Sequence, residues 1–171
     1  MVLSGLRGAV GFLTRVPVGH SERAWEELAG RPGLFVPVGY AVGAVAGLAL
    51  VLPLPAPTVA LLYPLVLVAI TGINHADGLA DLGDAAVVHG GPERRREVMA
   101  DTTLGVGAAV AVGLGVLGLG LGAFAAASLP WRVALGLAVA GEVGAKLSMV
   151  VLAGAGEASH EGLGSTFTGA G

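Results

Sequence analysis

The chain has 171 residues, of which 54% are hydrophobic and only 12% carry a charge, and its mean hydropathy is +0.82. Soluble domains usually carry about 25% charged residues, so this composition excludes an ordinary soluble domain and indicates a membrane protein. The formal net charge of −3 leaves no large basic patch for nucleic acid, and the lack of cysteine excludes disulfides and thiolate chemistry.

The N-terminal apolar stretch 2–19 is interrupted by Arg7 and Arg15, which makes it a poor membrane span. We expect an amphipathic helix at the membrane interface, within an N-terminal cytoplasmic or interfacial segment, 1–33. A signal peptide is the competing interpretation, but Arg15 and Pro17 stand where a cleavage site needs small residues.

Four later segments are apolar over nearly the length that a membrane helix needs, which is about 20 residues. They are 34–52, 57–73, 104–127 and 132–153. The turns that join the first to the second and the third to the fourth are very short, so each pair is expected to form a helical hairpin. The predicted fold is therefore all-α, an integral membrane bundle of about four transmembrane helices plus the interfacial helix.

Glycines recur every four residues in two of these segments, at Gly39, Gly43 and Gly47 and again at Gly118 and Gly122. Residues four apart share a helix face, and small residues there let two helix backbones approach closely. Both glycine rows therefore predict tight helix packing.

Arginines indicate the orientation in the membrane. They cluster before the first span and at 94–96, between the second and third spans, whereas the opposite turns hold only Arg132. The positive-inside rule places the arginine-rich side in the cytoplasm. We therefore expect a multi-pass protein of the cell (inner) membrane whose segment 74–103 faces the cytoplasm.

Three aspartates follow the second span at the helical spacing i, i+4 and i+7, namely Asp77, Asp81 and Asp84. Three like charges on one helix face repel each other, so a bound cation would stabilise them, and carboxylate oxygens suit Mg²⁺. Asp101, at the start of the third span, returns to the same side if the helices are antiparallel. Ordinary solvated acids are the alternative for each residue taken singly, but the set of four predicts a metal site that would serve phosphorus chemistry.

Other polar residues have two interpretations each. Arg94, Arg95 and Arg96 could bind substrate phosphate, or they could only mark topology. His75 could be a catalytic proton shuttle or a hydrogen-bonded interfacial histidine. Lys146 could contact substrate, or it could form a buried ion pair with Glu142 four residues earlier.

Five stretches resemble the cobalamin synthase family, the adenosylcobinamide-GDP ribazoletransferases, in the order in which that family carries them. They are FLTRVPV at 12–18, FVPVGYAVGAVAG at 35–47, HADGLADLGDA at 75–85, MADTTLGVGA at 99–108 and EGLGSTF at 161–167. The third stretch, with its histidine and three aspartates, is the most specific of them. The resemblance implies a multi-pass membrane transferase of the late step of cobalamin biosynthesis.

The resemblance also implies a reaction. Such enzymes transfer the adenosylcobinamide phosphate group from adenosylcobinamide-GDP to α-ribazole, or to its 5′-phosphate, and release GMP with Mg²⁺ as cofactor. Asp77, Asp81, Asp84 and Asp101 would hold the metal, with Asp77, Asp81 and His75 as the catalytic residues. The implied partners are these substrates and the lipid bilayer, with a second copy or other cobalamin-assembly enzymes as further candidates and no nucleic acid.

Some positions depart from the family pattern. Thr102 and Thr103 follow Asp101 where Ser and Arg are usual, Ala85 replaces a glycine, and Glu142 stands where arginine is common. Family members are also longer. We therefore expect residues 1–171 to be a single membrane domain of an incomplete or shortened member.

Three other functions stay open at this level. A CDP-alcohol phosphotransferase of phospholipid synthesis also uses clustered aspartates at the end of a membrane helix, but its signature needs Ala-Arg where Asp81 stands. A cation transporter and a non-enzymatic membrane protein are the other two. Metal dependence and the choice of nucleotide would separate these functions.

Overall fold

All the elements that the computed structural model describes are helices, and the described residues are 2–158, 162 and 164–168. The α-helices are α1 (Val2–Leu13), α2 (Glu22–Ala29), α3 (Phe35–Gly47), α4 (Ala56–Thr71), α5 (Asn74–Val87), α6 (Pro92–Ala100), α7 (Val106–Ala126) and α8 (Trp131–Ala155). Short 3₁₀ turns extend α3 at both ends, at Pro32–Leu34 and Leu48–Val51, and a third lies at Gly164–Thr166. The all-α prediction is confirmed.

Three helical stretches are long and apolar enough to cross a membrane: Pro32–Val51, Val106–Ala126 and Trp131–Ala155, with 20, 21 and 25 residues. The second predicted span, 57–73, corresponds to α4, which is long and apolar enough only when α5 is counted with it, and the two helices meet at an angle of 102°. Counting this bent pair as one span brings the number to four, the number that the sequence predicts, although α5 itself lies in the predicted cytoplasmic segment. Large apolar side chains such as Leu114 and Leu121 are exposed along α7, as expected for a helix that faces lipid.

The bend between α4 and α5 lies at Gly72, which has φ 78° and ψ −162°. This backbone conformation is essentially restricted to glycine. Arg15, just after α1, packs against this bend. Its backbone N–H donates to the Ile70 carbonyl at 2.7 Å. Its side-chain carbons lie 3.3 Å from where a Cβ on Gly72 would be.

The glycine row of α3 packs against α8. A Cβ on Gly43 would lie 2.7 Å from the Val139 Cα, and one on Gly39 would lie 3.0 Å from the Glu142 carbonyl oxygen. This packing is as predicted. Gly118 and Gly122 differ, because no atom of the described residues lies within 4 Å of a Cβ at either position.

The hairpin prediction gives the connections but not the main packing partners. Helix α3 packs chiefly on α8 rather than on α4, and α7 packs on α4 and α5 rather than on α8. Small residues explain this choice of partners, because they lie where one hairpin meets the other and allow the helices to approach closely, as Gly43 does against Val139. Contacts within each hairpin are concentrated near its turn, where Val59, Ala126 and Ala134 share one apolar cluster.

The predicted N-terminal helix forms as α1 and packs on α2. Ser21 caps α2, its hydroxyl accepting from the Ala24 N–H at 3.3 Å. Four aromatic rings join this region to the ends of α3 and of the chain: Phe12, Trp25, Phe35 and Phe167, with neighbouring ring centroids 5.3 to 5.8 Å apart. In the predicted motif EGLGSTF, Glu161 and Leu163 lie outside the described residues.

Candidate active site

Four carboxylates line one cavity of about 280 Å³ between α5, the end of α6 and the start of α7. They are Asp77, Asp81, Asp84 and Asp101. These are the four residues that the sequence predicts as metal ligands, and they come from two stretches of chain joined by α6. Their convergence on one cavity is the main geometric feature of the site.

Helix α5 supplies three of the four. Its spacing places Asp77, Asp81 and Asp84 on one face, and Ala80, which also lines the cavity, is buried on that side. The opposite residue Leu82 is 58% exposed. On the side that contacts α7, a Cβ on Gly83 would lie 2.6 Å from the Ala111 Cβ, so glycine allows the two helices to touch.

Asp101 reaches the cavity because α6 reverses the chain. Pro92 starts α6 at a position where its missing N–H costs nothing, and Asp101 follows the last helical residue, Ala100. The Thr103 N–H donates to Asp101 Oδ1 at 3.1 Å. Hydrogen bonds from the side chain and backbone of Thr103, helped by the charge of Arg94, lower the pKa of the exposed Asp101 carboxyl below its usual value, so it stays ionised at neutral pH.

Asp84 differs from the other three carboxylates in its hydrogen bonds. Its Oδ2 accepts from the Gly105 N–H at 2.8 Å and its Oδ1 from the Ala108 N–H at 2.9 Å. Both amides belong to the start of α7. Each carboxylate oxygen keeps a further lone pair, but the orientation of the side chain is set by α7.

The residues of the cavity fit a divalent cation. Among the described residues that line it, four are acids and none is a Lys, Arg or His that could balance them. Across the described part of the chain, no three acidic or histidine side chains lie close enough to hold an ion by themselves. Mg²⁺ commonly binds in this open way, through one or two carboxylates, water and the phosphates of a substrate.

The other predicted site residues do not line this cavity. Arg94, Arg95 and Arg96 are exposed on α6, where Arg94 pairs with Glu97 at 2.9 Å and Arg96 with Glu93 at 3.9 Å. The positive charge of Arg94 helps to lower the pKa of Asp101. The arginines thus lie beside the site rather than in it.

Lys146 and His75 lie elsewhere. Lys146 is only 3% exposed between α3 and α8, and its Nζ lies 3.3 Å from Glu142 Oε2, so the predicted ion pair forms. His75 is the second residue of α5, at an exposed position within reach of the charges of that pair. Neither side chain is part of the aspartate cavity as the structure describes it.

Two residues near the site were not singled out by the sequence. The backbone N–H of Thr103 donates to the side chain of Asp101, two residues earlier, and so orients that carboxylate. Aspartate side chains often accept from a backbone N–H two residues later, so the position of Thr103 was the available signal. Arg15 braces the bend that precedes α5. Its place in the stretch FLTRVPV was the available signal, but its charge alone suggested only topology.

Comparisons with known proteins identify the family of the chain. A sequence model of the family described as cobalamin-5-phosphate synthase matches residues 5–171. The adenosylcobinamide-GDP ribazoletransferase of Halorubrum lacusprofundi is 50% identical over 177 aligned residues, which cover 99% of this chain and 69% of that protein. The protein of the same name from Haloquadratum walsbyi is 45% identical, over 96% of this chain and 67% of its own length.

A more distant relative, the adenosylcobinamide-GDP ribazoletransferase of Methanocella arvoryzae, is 36% identical over 96% of this chain and 62% of its own length. The chain therefore spans about two thirds of the length of these relatives. No solved structure matches it. The resemblance seen in the aspartate motif extends through almost the entire sequence, and the chain belongs to the cobalamin-5-phosphate synthase family.

Proposed function

We propose that this chain catalyses the reaction for which its relatives are named. It would transfer the adenosylcobinamide phosphate group from adenosylcobinamide-GDP to α-ribazole, or to α-ribazole 5′-phosphate, and release GMP. The observation that carries the proposal is the cavity with four aspartates in a helical membrane bundle. The names of relatives that are similar over nearly the whole chain support this choice of substrate.

Three of the aspartates are the candidate ligands of the metal. One or two of Asp77, Asp81 and Asp101 would hold Mg²⁺ together with water and the substrate phosphates, and the ion would supply positive charge to the pyrophosphate and to the departing GMP. Asp84 is set apart because both of its oxygens already accept backbone N–H groups. Asp101 suits the role because it lies on the cavity wall, where the Thr103 N–H orients its carboxylate.

The chain's own groups account for the proton and the leaving group. The ribazole hydroxyl oxygen forms a bond to the phosphorus next to cobinamide, and the bond from that phosphorus to the bridging oxygen of GMP breaks. Asp77 or Asp81 accepts the hydroxyl proton, since either lies on the cavity wall and carboxylates act as general bases. GMP leaves with the bridging oxygen and the negative charge.

The arginines of α6 are proposed to bind the pyrophosphate. Their glutamate partners are on the same exposed helix, and exposed ion pairs of this type contribute little stability. A phosphate that offers two parallel hydrogen bonds competes well for a guanidinium. For Lys146, burial and the pair with Glu142 favour a structural role over contact with substrate.

The proposed location is the cytoplasmic face of the cell membrane. Arginines cluster before α3 and in α6, on the side of the bundle that holds the aspartates, and the positive-inside rule assigns that side to the cytoplasm. The relatives do not favour the CDP-alcohol phosphotransferase or the transporter.

The test is GMP release in liposomes. Purified chain would receive adenosylcobinamide-GDP and α-ribazole with Mg²⁺ or with a chelator, and CDP-choline would serve as the matched wrong nucleotide. Metal-dependent GMP together with a cobalamin product is the expected result. Absence of GMP both from this chain and from a fusion that adds the remaining third of the Halorubrum lacusprofundi protein would contradict the proposal.

A further inference from the structure

We infer that Asp84 is a positioning residue, which fastens α5 to the start of α7, and is not a ligand of the metal. The inference rests on the proposed function for what is positioned, but its evidence is structural. Asp84 Oδ2 lies 2.8 Å from the Gly105 nitrogen and its Oδ1 lies 2.9 Å from the Ala108 nitrogen. The Asp84 carboxylate on α5 thus accepts hydrogen bonds from two amides at the start of α7, and α6 lies between these two helices in the chain.

Helix α7 needs such a partner. The first N–H groups of any helix lack an acceptor within the helix, and Ser, Thr, Asn or Asp usually supplies one from the position before it. Here that position is Gly105, which has no side chain to offer, and the first turn contains only Val, Gly and Ala. Asp84 supplies the acceptor from a different helix, and its negative charge matches the positive N-terminal end of α7.

Glycines make the contact sterically feasible. A Cβ on Gly105 would collide with the Asp84 carboxylate, and one on Gly107 would collide with the Gly83 carbonyl oxygen. Three glycines at the crossing of α5 and α7 therefore allow the amides to reach the carboxylate. This match of one acid with a glycine-rich helix start indicates a built contact, not a chance approach of an exposed acid.

The consequence for the site concerns Asp101. Residues 102–104 connect Asp101 to Gly105, so holding Gly105 against α5 also holds Asp101 opposite Asp77 and Asp81 on the cavity wall. Each Asp84 oxygen keeps a second lone pair, so a cation would not have to displace the amides, but it would have to accept the carboxylate orientation that α7 imposes. The geometry therefore assigns Asp84 first to the start of α7.

The experiment measures distance and metal binding, neither of which needs turnover. The chain contains no cysteine, so cysteines placed at Leu82 and Val106, which are 58% and 81% exposed, can carry the only two spin labels. Pulsed electron resonance then reports the separation of α5 and α7. Mn²⁺ titration of the unlabelled protein reports the metal site.

Asp84→Ala is expected to broaden the α5–α7 distance distribution with and without metal, and Asp84→Asn to broaden it less, because one amide oxygen can still accept an N–H. Asp81→Asn, the matched control, should leave the distance unchanged and lose Mn²⁺ binding, whereas Asp84→Asn keeps Mn²⁺ binding within a few-fold of the original chain. Glu93→Gln controls for loss of one exposed acid and should alter neither readout.

An unchanged distance in both Asp84 variants would overturn the inference. So would loss of Mn²⁺ binding in Asp84→Asn to the extent seen in Asp81→Asn, because a ligand and not a positioning residue behaves in that way. If Asp84→Ala does not fold, Asp84→Asn decides alone. Failure of the proposed function would show instead as a chain that releases no GMP while its distances still respond to Asp84.

Discussion

The charge of the aspartate cavity determines what can bind there. Four acids face about 280 Å³ of space, and no basic side chain among the described residues lies on its wall. Unscreened carboxylates in one site repel each other and favour either protonation or a bound cation. At Asp101 the hydrogen bonds from Thr103 lower the pKa and so favour the charged form, which is the form that binds a cation.

The first prediction concerns the two acids of α5 that no amide holds. Asp77→Asn and Asp81→Asn remove one charge each while preserving shape, so each should lower GMP release by about 100-fold or more. Membrane insertion should be unaffected, because both side chains lie on the cavity and not in the helix packing. Activity assays and membrane fractionation provide the two measurements, with Glu93→Gln as control. Turnover at the original rate by either variant would remove that residue from the proposed site.

The second prediction separates the two interpretations of Lys146. Its ammonium is buried beside Glu142, and removing one member of a buried pair leaves the other charge without a partner, which costs about 3 kcal/mol or more. Lys146→Met should therefore lower the thermal midpoint in detergent. The double variant with Glu142→Gln should recover most of the stability and also regain GMP release. A stable but inactive double variant would show that Lys146 contacts substrate.

At the scale of elements, the close contact of α3 and α8 explains the glycine row of α3. Gly43 stands where a Cβ would lie 2.7 Å from the Val139 Cα, and backbone atoms cannot move aside as a flexible side chain can. In a membrane such approaches replace the hydrophobic effect as a source of helix association. The row therefore sets the distance between the first and last spans.

The third prediction tests this contact. Gly43→Ala should push α3 away from α8 and lower stability by about 1–3 kcal/mol, the usual cost of overpacking. Gly141→Ala on α8 is the matched control, because no described atom lies within 4 Å of a Cβ there. Thermal unfolding followed by circular dichroism compares the two. Equal midpoints would mean that the contact is looser than the structure shows.

Features that depend on nearby residues in the sequence could be predicted, and features that depend on contacts with distant residues could not. The spans and the aspartate face follow from local hydropathy and from the helix period, so they were predicted to within a few residues. The hydrogen-bond donors to Asp84 were not predicted, because Gly105 and Ala108 come from another helix and nothing near position 84 marks them. The glycine row at Gly118 and Gly122 shows the same limit, since spacing alone cannot tell which helix face meets a neighbour.

At the scale of the molecule, the bend at Gly72 determines where the active-site helix points. Without it α4 and α5 would form one long helix and the aspartates would continue along the axis of the span. With an angle of 102°, α5 instead packs back on α7 and meets Asp101. Hydropathy could show that the apolar run ends near residue 73, but the angle depends on one residue's φ and on Arg15.

The fourth prediction follows from this bend. Gly72→Ala forces a side chain into a backbone region that non-glycine residues avoid, at a cost of about 1–3 kcal/mol, and brings its Cβ to 3.3 Å from Arg15. GMP release should fall more than stability does, because α5 can reorient while the spans stay packed. Activity and thermal midpoint, measured against Gly136→Ala, provide the test. Full activity would show that the bend survives without glycine.

The pairing of α3 with α8 also has a meaning for biosynthesis. Translation delivers α3 to the membrane first, and α4 to α7 must all be made before α8 emerges. During that interval the glycine row of α3 has no α8 backbone to cover it and faces lipid or the insertion machinery. A nascent chain that stalls before Ala155 would therefore leave this contact half-built, with the small-residue face of α3 exposed as in folding intermediates of larger proteins. The packing of α3 thus depends on completion of α8.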